Sequence, residues 1–293
     1  MALRHEALAG GGAAVMLDQL ADNHFVAIAG LVEAHTGIRL PPSKRTMVEG
    51  RLRRRVRALG LRDLEDYGEA LFAKGLLERE FAHVVDCVTT NKTDFFREPQ
   101  QFDLLRQRLL QLLAARAARL GATLKFWSAA ASIGAEAYTL AMVAAETLGL
   151  DGPPFMILGT DISTTVIAAA RLAIYPCAMA EPIPEPYRKR YLMFARDSAR
   201  DEFRIAPELR RFVSFAQLNL MDERYGRDES FDVIFCRNVL IYFAKEAQTA
   251  VIERLLDRLR IGGYLMLGHS ETMTARDPER LRQIAPSVFE KVR

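Results

Sequence analysis

The chain has 293 residues, half of them hydrophobic and 26% charged. That is globular composition with room for two cores, so disordered, fibrous and collagen-like classes are excluded. Forty Lys and Arg against 37 Asp and Glu leave a net charge of +3, which excludes a general polyanion binder and an acidic tail protein.

Residues 1–20 read as a flexible lead-in, with Gly10, Gly11 and Gly12 in a row. The segment carries an acid and lacks a continuous apolar stretch, so it is a poor signal peptide. From Asp22 to about Val88 the pattern is helical. Phe25, Ile28, Leu31 and Val32 form one apolar face that ends near Gly37 and Pro41. Ser43 is placed to cap the next helix, in which Val48, Leu52, Val56 and Leu59 recur at helical spacing before Gly60. Two short helices fit 63–74 and 76–88. A helical domain over 21–90 follows. A further helix, 100–120, with Phe102, Leu105, Leu109, Leu112 and Leu113 on one face, bridges to the rest of the chain.

Beyond about residue 122, short apolar runs alternate with helical patterns. The expected strands are Leu124–Ser128, Phe155–Thr160, Val213–Ala216, Asp232–Cys236 and Tyr264–Gly268. The expected helices are Gly134–Leu148, Ser163–Leu172 and Lys245–Leu259. This alternation predicts a parallel sheet covered by helices on both faces. Pro182, Pro184 and Pro186 break it, so about 176–212 reads as an insertion with its own structure. No apolar run reaches the roughly 18–20 residues of a membrane helix. Cys87, Cys177 and Cys236 are too scattered for a disulfide framework or a zinc site. A reduced, cytoplasmic protein without a resident metal and without membrane insertion is expected.

In an open parallel sheet, ligands bind at the carboxyl ends of the strands. The first expected strand ends in small residues, Ala129 to Ser132, with Glu136 in the first turn of the following helix. The second ends at Asp161, where a carboxylate can accept from both hydroxyls of a ribose. The pattern therefore predicts an adenosine-type ligand and leaves the nicotinamide dinucleotide and S-adenosylmethionine both open. Arg237 and Asn238 end the Asp232–Cys236 strand, with Tyr242 one turn on. Burying that pair costs several kcal/mol, about 3–5 for an unpaired charge, so a ligand or an acid must meet it. Asn91, Thr93 and Arg97 lie at the join of the two parts, where ligand clefts are common.

With these segments in view, the chain resembles the CheR family of chemotaxis receptor glutamate methyltransferases. The resemblance runs from about Phe25 to Val292 and is carried by TTNKTDFFRE (89–98), FWSAAASIGAEAYTLAM (126–142), LGTDIS (158–163), LNL (218–220), FDVIFCRNVLIYF (231–243) and GGYLMLGHSE (262–271). It implies an all-helical N-terminal domain followed, over 91–293, by a Rossmann-like methyltransferase domain with a small antiparallel β insertion. It also implies transfer of the methyl of S-adenosylmethionine to glutamates on the cytoplasmic helices of chemoreceptors. S-Adenosylhomocysteine is the other product. By the same resemblance the cofactor positions are Asn91, Thr93, Arg97, Glu136, Asp161, Asn219, Leu220, Arg237 and Asn238, and Arg97 and Tyr242 lie nearest the transferred methyl. A monomer recruited to receptor clusters is expected. The family's Gly-Glu-Glu-Pro-Tyr is Gly134-Ala-Glu-Ala-Tyr138 here, which retains the second acid. Members that dock on a receptor C-terminal pentapeptide carry glycines in the insertion hairpin. The stretch Met193–Phe203 has none, so pentapeptide tethering is not expected.

The helix 43–62 carries Lys44, Arg45, Arg51, Arg53, Arg54, Arg55, Arg57 and Arg62 against one acid, Glu49. Arg51, Arg53, Arg54 and Arg57 are candidates for docking an acidic helical substrate. A nucleic-acid methyltransferase would also suit a basic helix, but no Asn/Asp-Pro-Pro-aromatic string for base amino groups is present, and no nucleic-acid partner is expected.

Overall fold

The computed structural model describes residues 18–197, 199–226, 229–271 and 279–293. Four helices form the first layer: α1 (Asp22–Thr36), α2 (Arg45–Ala58), α3 (Leu64–Phe72) and α4 (Leu77–Val88). Their core is the apolar stripe that the sequence spacing predicts, with Ile28, Val32, Val48, Leu52 and Val56 buried beside Tyr67 and Val84. Gly37 ends α1 in the left-handed conformation, which glycine adopts without a Cβ clash. Asp63 caps α3 by accepting from the Asp66 amide at 2.8 Å.

Two expectations change in this part. Ser43 does not cap α2: it sits inside a 3₁₀ turn, Pro42–Lys44, that runs straight into the helix. The lead-in also ends earlier than residue 20. Leu20 is buried and its amide donates to Glu49 Oε1, while Asp18 accepts from Arg53 Nε and from the Leu64 amide. Residues 1–17 lie outside the described residues.

The expected 100–120 helix is built from α5 (Pro99–Leu104), a π-helical stretch over 105–109 and α6 (Leu110–Leu120). Leu105, Leu109, Leu110 and Leu113 are buried along it, while Leu112 is exposed. The sheet that follows contains β1 (Leu124–Ala129), β2 (Phe155–Asp161), β6 (Val213–Gln217), β7 (Phe231–Cys236), β8 (Leu259–Leu267), β9 (Leu281–Ala285) and β10 (Val288–Lys291). Their order is β6-β2-β1-β7-β8-β10-β9. Neighbouring pairs from β6 to β8 are parallel, and β10 joins β8 antiparallel before turning back to β9. The C-terminal hairpin was not among the expected strands, and β8 begins five residues earlier than the expected Tyr264.

Helices α7 (Ala135–Leu148), α8 (Thr164–Leu172) and α11 (Lys245–Arg258) connect the parallel strands. Residues 135–145 of α7 are buried without interruption, because its alanines let the helix lie close on the sheet. Asp232 is buried in β7 yet satisfied: its carboxylate accepts from the Lys125 amide and from Arg260 Nη1 at 2.8 Å each.

The insertion is a separate antiparallel sheet of β3 (Ile174–Pro176), β4 (Leu192–Phe194) and β5 (Glu202–Ile205), in the order β3-β5-β4. It starts two residues before the expected 176. The short helices α9 (Glu185–Tyr191) and α10 (Pro207–Arg210) flank it. Among the described residues no helix is long and apolar enough to cross a membrane.

Candidate active site

Strand β1 sits at the switch point, because the chain steps to β2 on one side and β7 on the other. The carboxyl ends of these strands open a crevice there. A cleft lies in it, roofed by Thr36 and Ile38 of the helical layer. Asn91, Thr93, Arg97, Glu136, Asp161, Asn219, Leu220, Arg237, Asn238 and Tyr242 all line this one cleft. Glu136, Asp161, Arg237, Asn238 and Tyr242 lie at strand ends, Asn91, Thr93 and Arg97 at the join of the two parts, and Asn219 and Leu220, selected by the resemblance alone, lie beside them.

Asp161 ends β2 with its carboxylate pinned by backbone amides, from Ser132 at 2.8 Å and Ser163 at 3.0 Å. Burial raises its pKa, and the amides of Ser163, Ser132 and Ile162 oppose that rise. The Ser132 hydroxyl donates to the Asn91 carbonyl at 2.8 Å and so fixes the joining segment against the floor. The floor turn is backbone-strained: Ala130 and Ser132 have φ of 61° and 52°.

Arg237 answers the question its burial raised. Its side chain is 2% exposed. Nε donates to Glu136 Oε2 at 2.7 Å, Nη1 to Gln101 Oε1 at 3.1 Å and to Glu98 Oε2 at 3.4 Å, and Nη2 to the Arg97 carbonyl at 2.8 Å. The guanidinium also faces the rings of Phe102 and Phe235. Glu136 is held from the other side by the Ser128 hydroxyl at 2.7 Å. Arg237 therefore ties three walls of the cleft: the α7 N-terminus, the Arg97 loop and the end of β7.

The helical layer closes the opposite wall. The Arg39 amide donates to the Tyr242 carbonyl at 3.0 Å, Asn219 Nδ2 donates to the His35 carbonyl at 2.6 Å, and Ile38 bridges Phe243. Lys44 Nζ lies 4.9 Å from the centre of the Tyr242 ring. With Lys92 and Arg97, Lys44 makes the mouth basic. Among the described residues no His or Cys lines the cleft.

The basic helix is more committed than its sequence suggests. Arg45 pairs with Asp22 and Glu49, Arg53 with Asp18, Arg55 with Glu80 and Arg62 with Asp66. Arg51 Nη1 donates to the carbonyls of Cys87, Val88 and Thr89 at the end of α4. Of the four docking candidates, Arg51 and Arg53 are engaged inside the protein. Arg54 and Arg57 stay exposed, and among the described residues neither has a carboxylate partner. Sequence reasoning missed Thr36, Ile38, Glu98, Gln101 and Glu271, whose place at the site comes only from long-range packing.

The family model described as CheR methyltransferase, all-alpha domain, matches residues 23–89. The one described as CheR methyltransferase, SAM binding domain, matches residues 91–288. The chain is 39% identical over 236 residues to chemotaxis protein methyltransferase 2 of Pseudomonas aeruginosa, covering 80% of this chain and 81% of that one. It is 37% identical over 255 residues to the chemotaxis protein methyltransferase of Escherichia coli, covering 87% and 86%. The Salmonella typhimurium protein of that name is 36% identical over 255 residues, covering 87% and 85%. With both of its parts matched in order and relatives aligned over most of their length, the chain belongs to the CheR methyltransferase family, whose cofactor is S-adenosylmethionine.

Proposed function

We propose that the protein esterifies glutamate side chains on the cytoplasmic helices of chemoreceptors, in sensory adaptation during chemotaxis. The observation that carries this is the gathering of all ten sequence-selected residues on one cleft with a basic mouth, at the strand ends of a methyltransferase fold. The chemistry of the lining fits the cofactor. Asn91, Thr93, Arg97, Glu136, Asp161, Asn219, Leu220, Arg237 and Asn238 would hold the cofactor, and the Asp161 carboxylate could accept from the ribose hydroxyls.

When bound, S-adenosylmethionine supplies an activated sulfonium methyl. The acceptor carboxylate is ionised at neutral pH and is itself the nucleophile, so no general base is required. Arg97 would orient the incoming carboxylate or the cofactor, and Tyr242 would donate or position near the transferred methyl. Catalysis comes from alignment and from water excluded by the roof over the cleft.

The division of labour follows the chain: 21–90 docks the receptor and 91–293 carries the chemistry. Arg54 and Arg57 of α2 are the exposed cations that steer an acidic helix, with Arg51 and Arg53 holding α2 in place. The hairpin of the insertion lacks glycine, so the enzyme reaches its receptor without pentapeptide tethering. It acts as a monomer in the cytoplasm, at receptor clusters. The test is methyl transfer from labelled cofactor to membranes with and without chemoreceptors. Label that depends on the receptor supports the reading, and label that is independent of it, or directed to RNA, overturns it.

A further inference from the structure

Glu271 has no part in the reading above, yet it is one of the most heavily bonded carboxylates near the site. It lies just beyond β8 and is 5% exposed. Oε2 accepts from the amides of Gly268 at 2.7 Å and Asn238 at 2.9 Å. Oε1 accepts from the amides of Val239 and Leu240, both at 2.8 Å. Three of these donors are consecutive residues leading into the 3₁₀ turn Leu240–Tyr242. Amides at the start of such a turn have no partner within it, and a carboxylate is the strongest acceptor available to them.

The carboxylate holds a turn of unusual backbone. Asn238 adopts a left-handed φ of 58°, a region that Asn tolerates better than other residues with a side chain. Glu98 supports the same residue from the far side, accepting from Asn238 Nδ2 at 3.2 Å. Gly268 leaves room for the arrangement, since a Cβ there would lie 2.8 Å from Glu271 Oε2 and 2.9 Å from the Asn238 amide nitrogen.

We infer that Glu271 is a positioning residue for methyl transfer: its carboxylate sets the Asn238–Tyr242 turn and thereby places Asn238 and Tyr242 in the cleft. The inference rests on the proposed roles of those two residues. Replacing the carboxylate by an amide sets an NH₂ group against backbone donors, so the turn loses acceptors while the rest of the cleft keeps its contacts.

The test compares the full-length protein with Glu271→Gln and with Gly268→Ala, which keeps the carboxylate but presses on it. Amide exchange at 238–240 should quicken by about tenfold, with the protection of β1 unchanged. Turnover should fall by about tenfold or more, and S-adenosylhomocysteine affinity, measured by calorimetry, should weaken as well, because Asn238 lines the cofactor cleft. In a Tyr242→Phe background the further loss from Glu271→Gln should shrink to under about threefold, because both changes act on one element. Full turnover in both variants overturns the inference, as does an equal loss in the two backgrounds. If the wild type fails to methylate receptor, the proposed function is at fault, and the exchange measurement still judges the brace.

Discussion

Replacing Arg237 by alanine strikes the centre of the polar network. The side chain is 2% exposed and reaches two carboxylates whose side chains are themselves 11% and 13% exposed. Truncation leaves Glu136 and Glu98 largely buried without their cation, strands Gln101 Oε1 and the Arg97 carbonyl, and opens space between Phe102 and Phe235. Removing one partner of a buried ion pair costs about 3–5 kcal/mol. In a protein of this size that lowers the unfolding midpoint by on the order of 10 °C. Denaturant unfolding followed by circular dichroism measures the first quantity, and calorimetry with S-adenosylhomocysteine measures the linked loss of affinity. Adding Glu136→Gln to the variant should restore part of the stability, because one uncompensated charge is removed. A destabilisation below about 1 kcal/mol, or unchanged cofactor affinity in the folded variant, would refute the assignment of Arg237 as the tie between the three walls.

Further expectations follow from single contacts. Burial raises the Asp161 carboxyl above its ordinary value of 3.8, against the pull of the Ser163 and Ser132 amides. Its ionised form therefore costs the unliganded fold stability at neutral pH, a cost absent below that ordinary value. Cofactor-product affinity should decline as pH falls from neutrality through the raised value, and Asp161→Asn should bind about tenfold or more weakly, with a flat profile. Gly134→Ala adds a Cβ within 2.9 Å of Phe215 and 3.0 Å of Ala170 at a φ of 88°, so chemical unfolding should show a loss of about 1–3 kcal/mol. Burial raises the Glu80 carboxyl, but the Arg55 hydrogen bonds and charge outweigh it and leave it below its ordinary value. Its contribution is present above the ordinary value of 4.5 and lost as pH falls through the lower folded value; Glu80→Gln should cost about 1–3 kcal/mol at pH 7 and less in acid. Charge reversal at Arg54 and Arg57 should slow receptor methylation by about tenfold at low salt and less at high salt, with product affinity unchanged. Equal loss of both activities would point to a folding defect instead.

Much of this molecule is legible in its sequence, for identifiable reasons. Strand β7 is buried along its length, β1 and β2 are buried toward their carboxyl ends, and all three read as mostly apolar runs that lead to polar residues at the cleft. Polar residues at those ends are conspicuous because a buried strand has no other use for them. The C-terminal hairpin escaped because β9 is mostly solvent-facing, with Leu281 its one fully buried residue. The early start of β8 escaped because Arg260 to Gly263 reads as a turn, although Arg260 is held there by Asp232. The committed state of α2 was also hidden: Arg53 meets Asp18 and Arg55 meets Glu80 across more than twenty residues, and charge counting within one helix sees neither partner. Glu271 stood in plain view in GGYLMLGHSE, but its four amide partners lie largely in another strand's loop.

The most direct measurement is the chemical nature of the methylated site. A purified chemoreceptor cytoplasmic fragment is incubated with the enzyme and S-adenosylmethionine, then mapped by peptide mass spectrometry before and after mild alkali. Methyl groups on glutamate side chains, released by alkali and reduced when the cleft carries Asp161→Asn, are the predicted result. Alkali-stable methylation on lysine or arginine, or no receptor methylation by an enzyme that binds S-adenosylhomocysteine, would contradict the account.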